Sequence, residues 1–195
     1  MAVTLVERES EKQKAQLVAL TQKNKDGVQV IVGSDYGLIN VDVNHARMHE
    51  GRAFFAWYAN MDANKLATAA SIDIVMAAAP GITPHITVGY VCGGDCEFYM
   101  YEDTTTTGGT AFTPINRNRT SSTASQIAMV TNPTINTLGT LLDEQAAPSG
   151  GGPKSGGAAS AGLEYVLAPL TNYHFRLTNV SGQPKMAVLT LEWYE

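Results

Sequence analysis

Apolar and polar residues alternate with a period of two through residues 163–195, in three successive runs that each end on a turn signal. That is the pattern of half-buried antiparallel strands. In the first run Leu163, Tyr165 and Leu167 fall on one side and Glu164 and Val166 on the other, and Ala168-Pro169 stops it because proline removes a ladder donor. Tyr173, Phe175 and Leu177 then alternate with His174, Arg176 and Thr178 as far as the turn Asn179-Val180-Ser181-Gly182. The last run sets Met186, Val188, Thr190 and Glu192 against Ala187, Leu189, Leu191 and Trp193. A strand apolar on both sides is expected to be central or covered.

The same reading extends upstream. Residues 6–24 combine Glu, Lys, Gln, Ala and Leu without Gly or Pro, which predicts the chain's one helix, although no apolar stripe runs along it and a solvated arm reads equally well. Residues 28–32 and 38–43 predict a first hairpin, and 53–59 and 71–78 two further strands. Residues 85–91 and 97–101 alternate on either side of Cys92-Gly93-Gly94-Asp95-Cys96 and predict a second hairpin with a Gly-Gly-Asp tip. Thr104–Thr110 reads as a polar loop, 112–115 as a return to a sheet, and 126–131 and 136–142 as strands. Residues 148–162 have the composition of a flexible linker. The expected architecture is all-β: a single jelly-roll-like antiparallel β-sandwich over residues 27–195, preceded by an N-terminal arm or short helix over 1–26.

Composition fits that picture, with 44% hydrophobic and only 16% charged residues and 18 glycines. The formal charge of -5 opposes broad attraction to nucleic acid or an anionic membrane, so neither is an expected partner. The charged residues between Glu7 and Lys14 occupy the place of a signal peptide's apolar core, and no apolar run reaches the roughly 20 residues of a membrane span. The chain is expected to be made in a cytoplasm, where the sequons at Asn118 and Asn179 have no meaning.

The densest ligand-like cluster is His45-Ala46-Arg47-Met48-His49-Glu50, whose two histidines would share a face on either a strand or a helix, with His85 as a third imidazole brought in by the fold. A cupin-type metalloenzyme needs His-x-His, and here three residues intervene, so no metal ligand is assigned. Cys92 and Cys96 lack the further ligands of a zinc site and are expected as reduced thiols in a cytoplasm, with a disulfide across the tip as the alternative. Asp73, Glu97, Glu102 and Asp103 show no spacing that favours paired carboxylate catalysis, and neither a serine-nucleophile elbow nor a phosphate-cradling loop is present. No catalytic or cofactor-binding residue is assigned. The aromatics Phe54, Phe55, Trp57, Tyr58, Trp193 and Tyr194 are expected in the core; facing outward, they would make a subunit or ligand contact.

The succession INVDVNHARMHEGRAFFAWY, CGGDCEFYMYED, TGGTAFTPINRNRTSS and the closing LEYVLAPLTNYHFRLTNVSGQPKMAVLTLEWYE resembles a family of small tailed-phage virion proteins of the decoration, cement or head-fibre kind. The likeness spans most of residues 39–195. It implies a jelly-roll subunit on the capsid exterior, with the major capsid protein as partner and a homotrimer as the assembled form, which stabilises the shell. A host-recognition module that binds a carbohydrate or surface protein, and a cupin-like metalloenzyme using His45, His49, Glu50 and His85, are the alternatives from other classes.

Overall fold

Strong period-two alternation with turn residues at the ends makes strands throughout this chain, and their long-range pairing makes the fold. The computed structural model describes residues 5–10, 13–18, 31–32, 38–39, 43–148, 157–159 and 164–195, with side chains for 44–148 and 164–195. In chain order the elements are β1 (Leu5–Ser10), β2 (Gln13–Val18), β3 (Ile31–Val32), β4 (Leu38–Ile39), α1 (Val43–His49), β5 (Ala53–Asn60), β6 (Ser71–Ala78), β7 (His85–Cys92), β8 (Cys96–Glu102), β9 (Thr105–Thr107), β10 (Thr110–Phe112), β11 (Ile115–Asn116), β12 (Ile127–Thr131), β13 (Thr134–Thr137), β14 (Thr140–Ala147), β15 (Gly157–Ala159), β16 (Glu164–Val166), β17 (Asn172–Asn179) and β18 (Ala187–Tyr194).

Contacts divide the chain into two compact units, Met1–His49 and Glu50–Glu195. In the first, β1 and β2 pair antiparallel from Leu5↔Val18 to Ser10↔Gln13, where a helix over 6–24 was an expectation. Helix propensity is a weak prior, and here no apolar stripe reinforced it. The expected first hairpin is present as Ile31↔Ile39 and Val32↔Leu38. The α-helix among the described residues is instead α1, a stretch expected to begin as strand.

The second unit is an antiparallel β-sandwich. One sheet has the order β10-β12-β6-β17-β8-β14; the other has β11-β5-β18-β7-β15, with β16 also on β7. Counting β5, β6, β7, β8, β14, the β15/β16 segment, β17 and β18 as eight successive strands, the sheets read 1-8-3-6 and 2-7-4-5. That is the interleaved double Greek key of a jelly roll. As expected from its two apolar sides, β18 is central, between β5 and β7. Inward residues from both sheets form one core in which Phe54, Phe98, Phe175, Met100, Leu189 and Leu191 are fully buried.

Three connections cross between the sheets at the same end: 61–70 from β5 to β6, 93–95 from β7 to β8, and 180–186 from β17 to β18. The expected hairpin of residues 85–101 is therefore not a hairpin: β7 pairs with β18 and β8 with β17, and Gly-Gly-Asp is a corner. A local alternation with a short tip is common to hairpins and corners, and only the distant partners decide. The corners bond to one another, through Leu66 N to Lys185 O (2.8 Å), Lys185 N to Leu66 O (3.0 Å), Gly93 N to Met186 O (2.8 Å) and Val180 N to Asp95 O (2.9 Å).

The excursion between β8 and β14 extends both sheets, with β10 and β12 beside β6 and β11 beside β5. Its polar start, expected as a loop, contributes β9, paired with β13. The expected strand over 136–142 is broken by Gly139, whose φ of +80° places a would-be Cβ against Glu102 O, so only glycine fits. Of the expected linker, Gly157–Ala159 pairs with Val91 and its neighbours on β7, and residues 149–156 and 160–162 lie outside the described residues.

Candidate functional site

On α1, His45 and His49 stand one turn apart, with their Nε2 atoms 3.0 Å apart and rings edge-on. The pairing expected from their spacing is present within the helix, but His85 has other partners, and among the described residues no three His, Cys, Asp or Glu side chains converge on a metal position. Two imidazoles alone fall short of the three or four ligands of zinc sites.

Cys92 and Cys96 are disulfide-bonded, which corrects the expectation of reduced thiols. Cys92 ends β7 and Cys96 begins β8, both side chains point into the core, and their Cα atoms lie 6.3 Å apart, within the span a disulfide requires. The bond links one sheet to the other across the corner instead of closing a hairpin. Replacing both cysteines by alanine is expected to cost about 2 kcal/mol in urea unfolding, since the closed loop is short. Wild-type protein in reductant should match that variant; an unchanged midpoint in both would show that the corner is held without the bond.

The outward face of the first sheet carries a polar cluster that local reading placed only in part. Asp73 on β6 accepts from His174 Nε2 (2.6 Å) and Arg176 Nε (2.7 Å), both on β17. His174 is fully buried, lies against the ring of Tyr101 (centroids 5.6 Å apart), and its Nδ1 has no hydrogen-bond partner among the described residues. Burial raises the Asp73 pKa, but the hydrogen bonds and charges of His174 and Arg176 outweigh it and hold the carboxyl below its ordinary value. Of the other carboxylates in these strands, Glu97 accepts from Tyr99 (2.7 Å) and Glu102 from Tyr173 (2.6 Å), so neither is paired with Asp73. The bond to Glu97 pushes Tyr99 up to about 12, and burial together with the bond to Glu102 does the same for Tyr173, so each tyrosine keeps its proton and serves as a donor.

The outward face of the second sheet holds two features. At one end His85 Nδ1 lies 2.9 Å from Glu164 Oε1, Tyr194 donates to the same oxygen at 2.7 Å, and the His85 and Tyr194 rings stack at 4.7 Å. This ties β16 to β7 and β18. Further along, Trp57 is 48% exposed, contrary to the core expected for the aromatics, whereas Phe54 and Trp193 are buried and stacked 6.1 Å apart. Residues 53–59 are apolar on both faces, so the sequence does not say which aromatics turn inward; the register with β18 does.

The polar segment after β11 is built as a loop anchor. Asn116 is buried; its Nδ2 donates to Gly51 O (2.8 Å) and Thr123 O (3.0 Å), and its Oδ1 accepts from Asn118 N (2.8 Å). Asn179 is also fully buried and bonded on both side-chain atoms. A scan against protein-family models, a search of curated proteins and a search of solved structures each return no match to this chain.

Proposed function

We propose that the chain is a structural virion protein of a tailed bacteriophage, a decoration or cement subunit that binds the outer capsid surface and stabilises the shell. The observation that carries this reading is where the residues behind the family resemblance lie. Asn116, Asn179, Cys92 and Cys96 lie buried at corners and loop anchors, where they brace a jelly roll. A protein whose distinguishing residues stiffen a scaffold suits a role in which the folded surface itself is the working part. The separate unit Met1–His49 supports an arm that engages the major capsid protein or a neighbouring subunit. A homotrimer would link three such contacts and raise their effective concentration.

The test is co-sedimentation of the purified chain with heads of the phage that encodes it, alongside native mass spectrometry. Saturable binding that is lost when residues 3–25 are deleted supports the reading. Absence of the chain from purified particles overturns it, and unchanged binding by the deletion variant removes the role given to the arm.

A further inference from the structure

We infer that the outward face of the second sheet carries a shallow sugar-binding platform, built on Trp57 and Gly89, that takes an equatorially substituted pyranose of the gluco type. The inference needs only this sheet face and stands apart from the capsid reading. Register places Trp57, Thr190 and Gly89 in one row, since Thr190 is opposite Trp57 on β5 and opposite Gly89 on β7. All three point outward, because the alternate residues Ala56, Leu189 and Val88 are buried in the core.

Gly89 leaves the floor at the far end of the row bare, with Thr190 between it and the indole: a Cβ built there meets none of the described residues within 4 Å. The row spans two strand spacings, roughly 9–10 Å, which is about the length of a disaccharide. A gluco-configured ring presents its C–H bonds on its flat faces and its hydroxyls around its edge. It therefore asks for an aromatic plane with donors and acceptors in the ring plane. The next row supplies them: Glu192 lies between Phe55 and Thr87, and its Oε2 accepts from Arg117 Nη1 at 2.7 Å, both side chains being partly exposed.

A second copy of the chain suits this face less well. A stable protein interface buries on the order of 800 Å² from each partner with an apolar centre. Here Val91, 49% exposed, and Val188 continue the apolar area on one side, and on the other Phe55 and Val166 are interspersed with Glu192, His85 and Glu164, so charged groups break up the face.

The chain has two tryptophans, and Trp193 is buried away from this face, so a sugar-dependent change in tryptophan emission reports on Trp57. The probes are cellotriose and chitotriose, titrated into the full chain to about 10 mM, the weak end of the range set by a single stacking contact. A saturable shift with at least one of them, lost in Gly89→Val, supports the platform, as does loss of the heat of binding in calorimetry of Trp57→Ala, which no longer carries the reporter. Gly89→Val is the sharper variant: the described residues leave the space above it open and a β-branched residue suits a strand, so the fold is kept while the floor is filled. No saturable shift with either sugar overturns the proposal, as does binding by Gly89→Val equal to wild type. A shift that follows protein concentration without sugar, with dimers in sedimentation, also overturns it and makes the face a contact between copies.

Discussion

Asn179→Ala is expected to lower the stability of the sandwich by about 2–4 kcal/mol, because it leaves more than one buried polar group without its partner. Asn179 Nδ2 donates to Leu66 O in the β5–β6 corner and to Gln183 O in the β17–β18 corner, both at 2.8 Å. Its Oδ1 accepts from Ser181 N at 3.0 Å and Ser181 Oγ at 2.7 Å, which shapes the turn that leaves β17. The main chain of the same residue bonds to Ala69 and Ala70. One side chain thus fastens two of the three crossings that hold this end of the jelly roll, and alanine cannot replace either donor. Asn179→Asp separates shape from chemistry: it keeps the acceptor, removes both donors and turns a carboxylate on two carbonyl oxygens, so it should cost at least as much as alanine. Urea unfolding of the three proteins decides the matter. A loss under about 0.5 kcal/mol for alanine would mean that the corners are held by their backbone bonds alone.

Residues 71–78 were legible to the residue, and so was the central place of β18, since both rest on local alternation and on how apolar each side is. What escaped was decided at long range. Nothing in Cys92-Gly93-Gly94-Asp95-Cys96 distinguishes a hairpin from a corner until β17 and β18, about 80 residues later, take the two strands into different sheets. The expectation of reduced thiols rested on an assumption about compartment, and the paired geometry at the tip would have allowed the bond. His174 occupies a polar position in its alternation and does face outward, but its burial depends on Asp73 and Tyr101, which other strands bring to it. Trp57 is the opposite case. Its strand is apolar on both sides, so an exposed indole became visible only when register chose the inward set. Asn116 and Asn179 could have been singled out as asparagines that open polar turns, where such side chains bond the backbone two residues on.

Asp73→Asn is expected to destabilise the fold by roughly 2–4 kcal/mol at neutral pH, because it leaves Arg176 and His174 without the carboxylate they share inside a mostly buried cluster. The side chain of Asp73 is 14% exposed, so solvent screens the interaction only in part. The pH dependence follows from the lowered pKa. In the unfolded chain the carboxyl titrates near its ordinary value of 3.8, and in the folded one below it. At pH above the unfolded value both forms are ionised and the full contribution is present. As pH falls past 3.8 the unfolded chain takes up the proton first, so the contribution fades, and it is gone once pH is below the folded pKa. The surrounding groups on that face are Ser71 on β6, Arg176 and Thr178 on β17, and Glu97, Tyr99 and Tyr101 on β8. Glu97 is a second carboxylate on that face, so the measurement must be a difference between variants. The gap in urea midpoint between wild type and Asp73→Asn should therefore hold constant from pH 7 to about 5 and narrow below about 4. A gap that stays constant to pH 3 would show that the carboxylate charge contributes nothing, and that shape and hydrogen bonding alone bind β6 to β17 at this point.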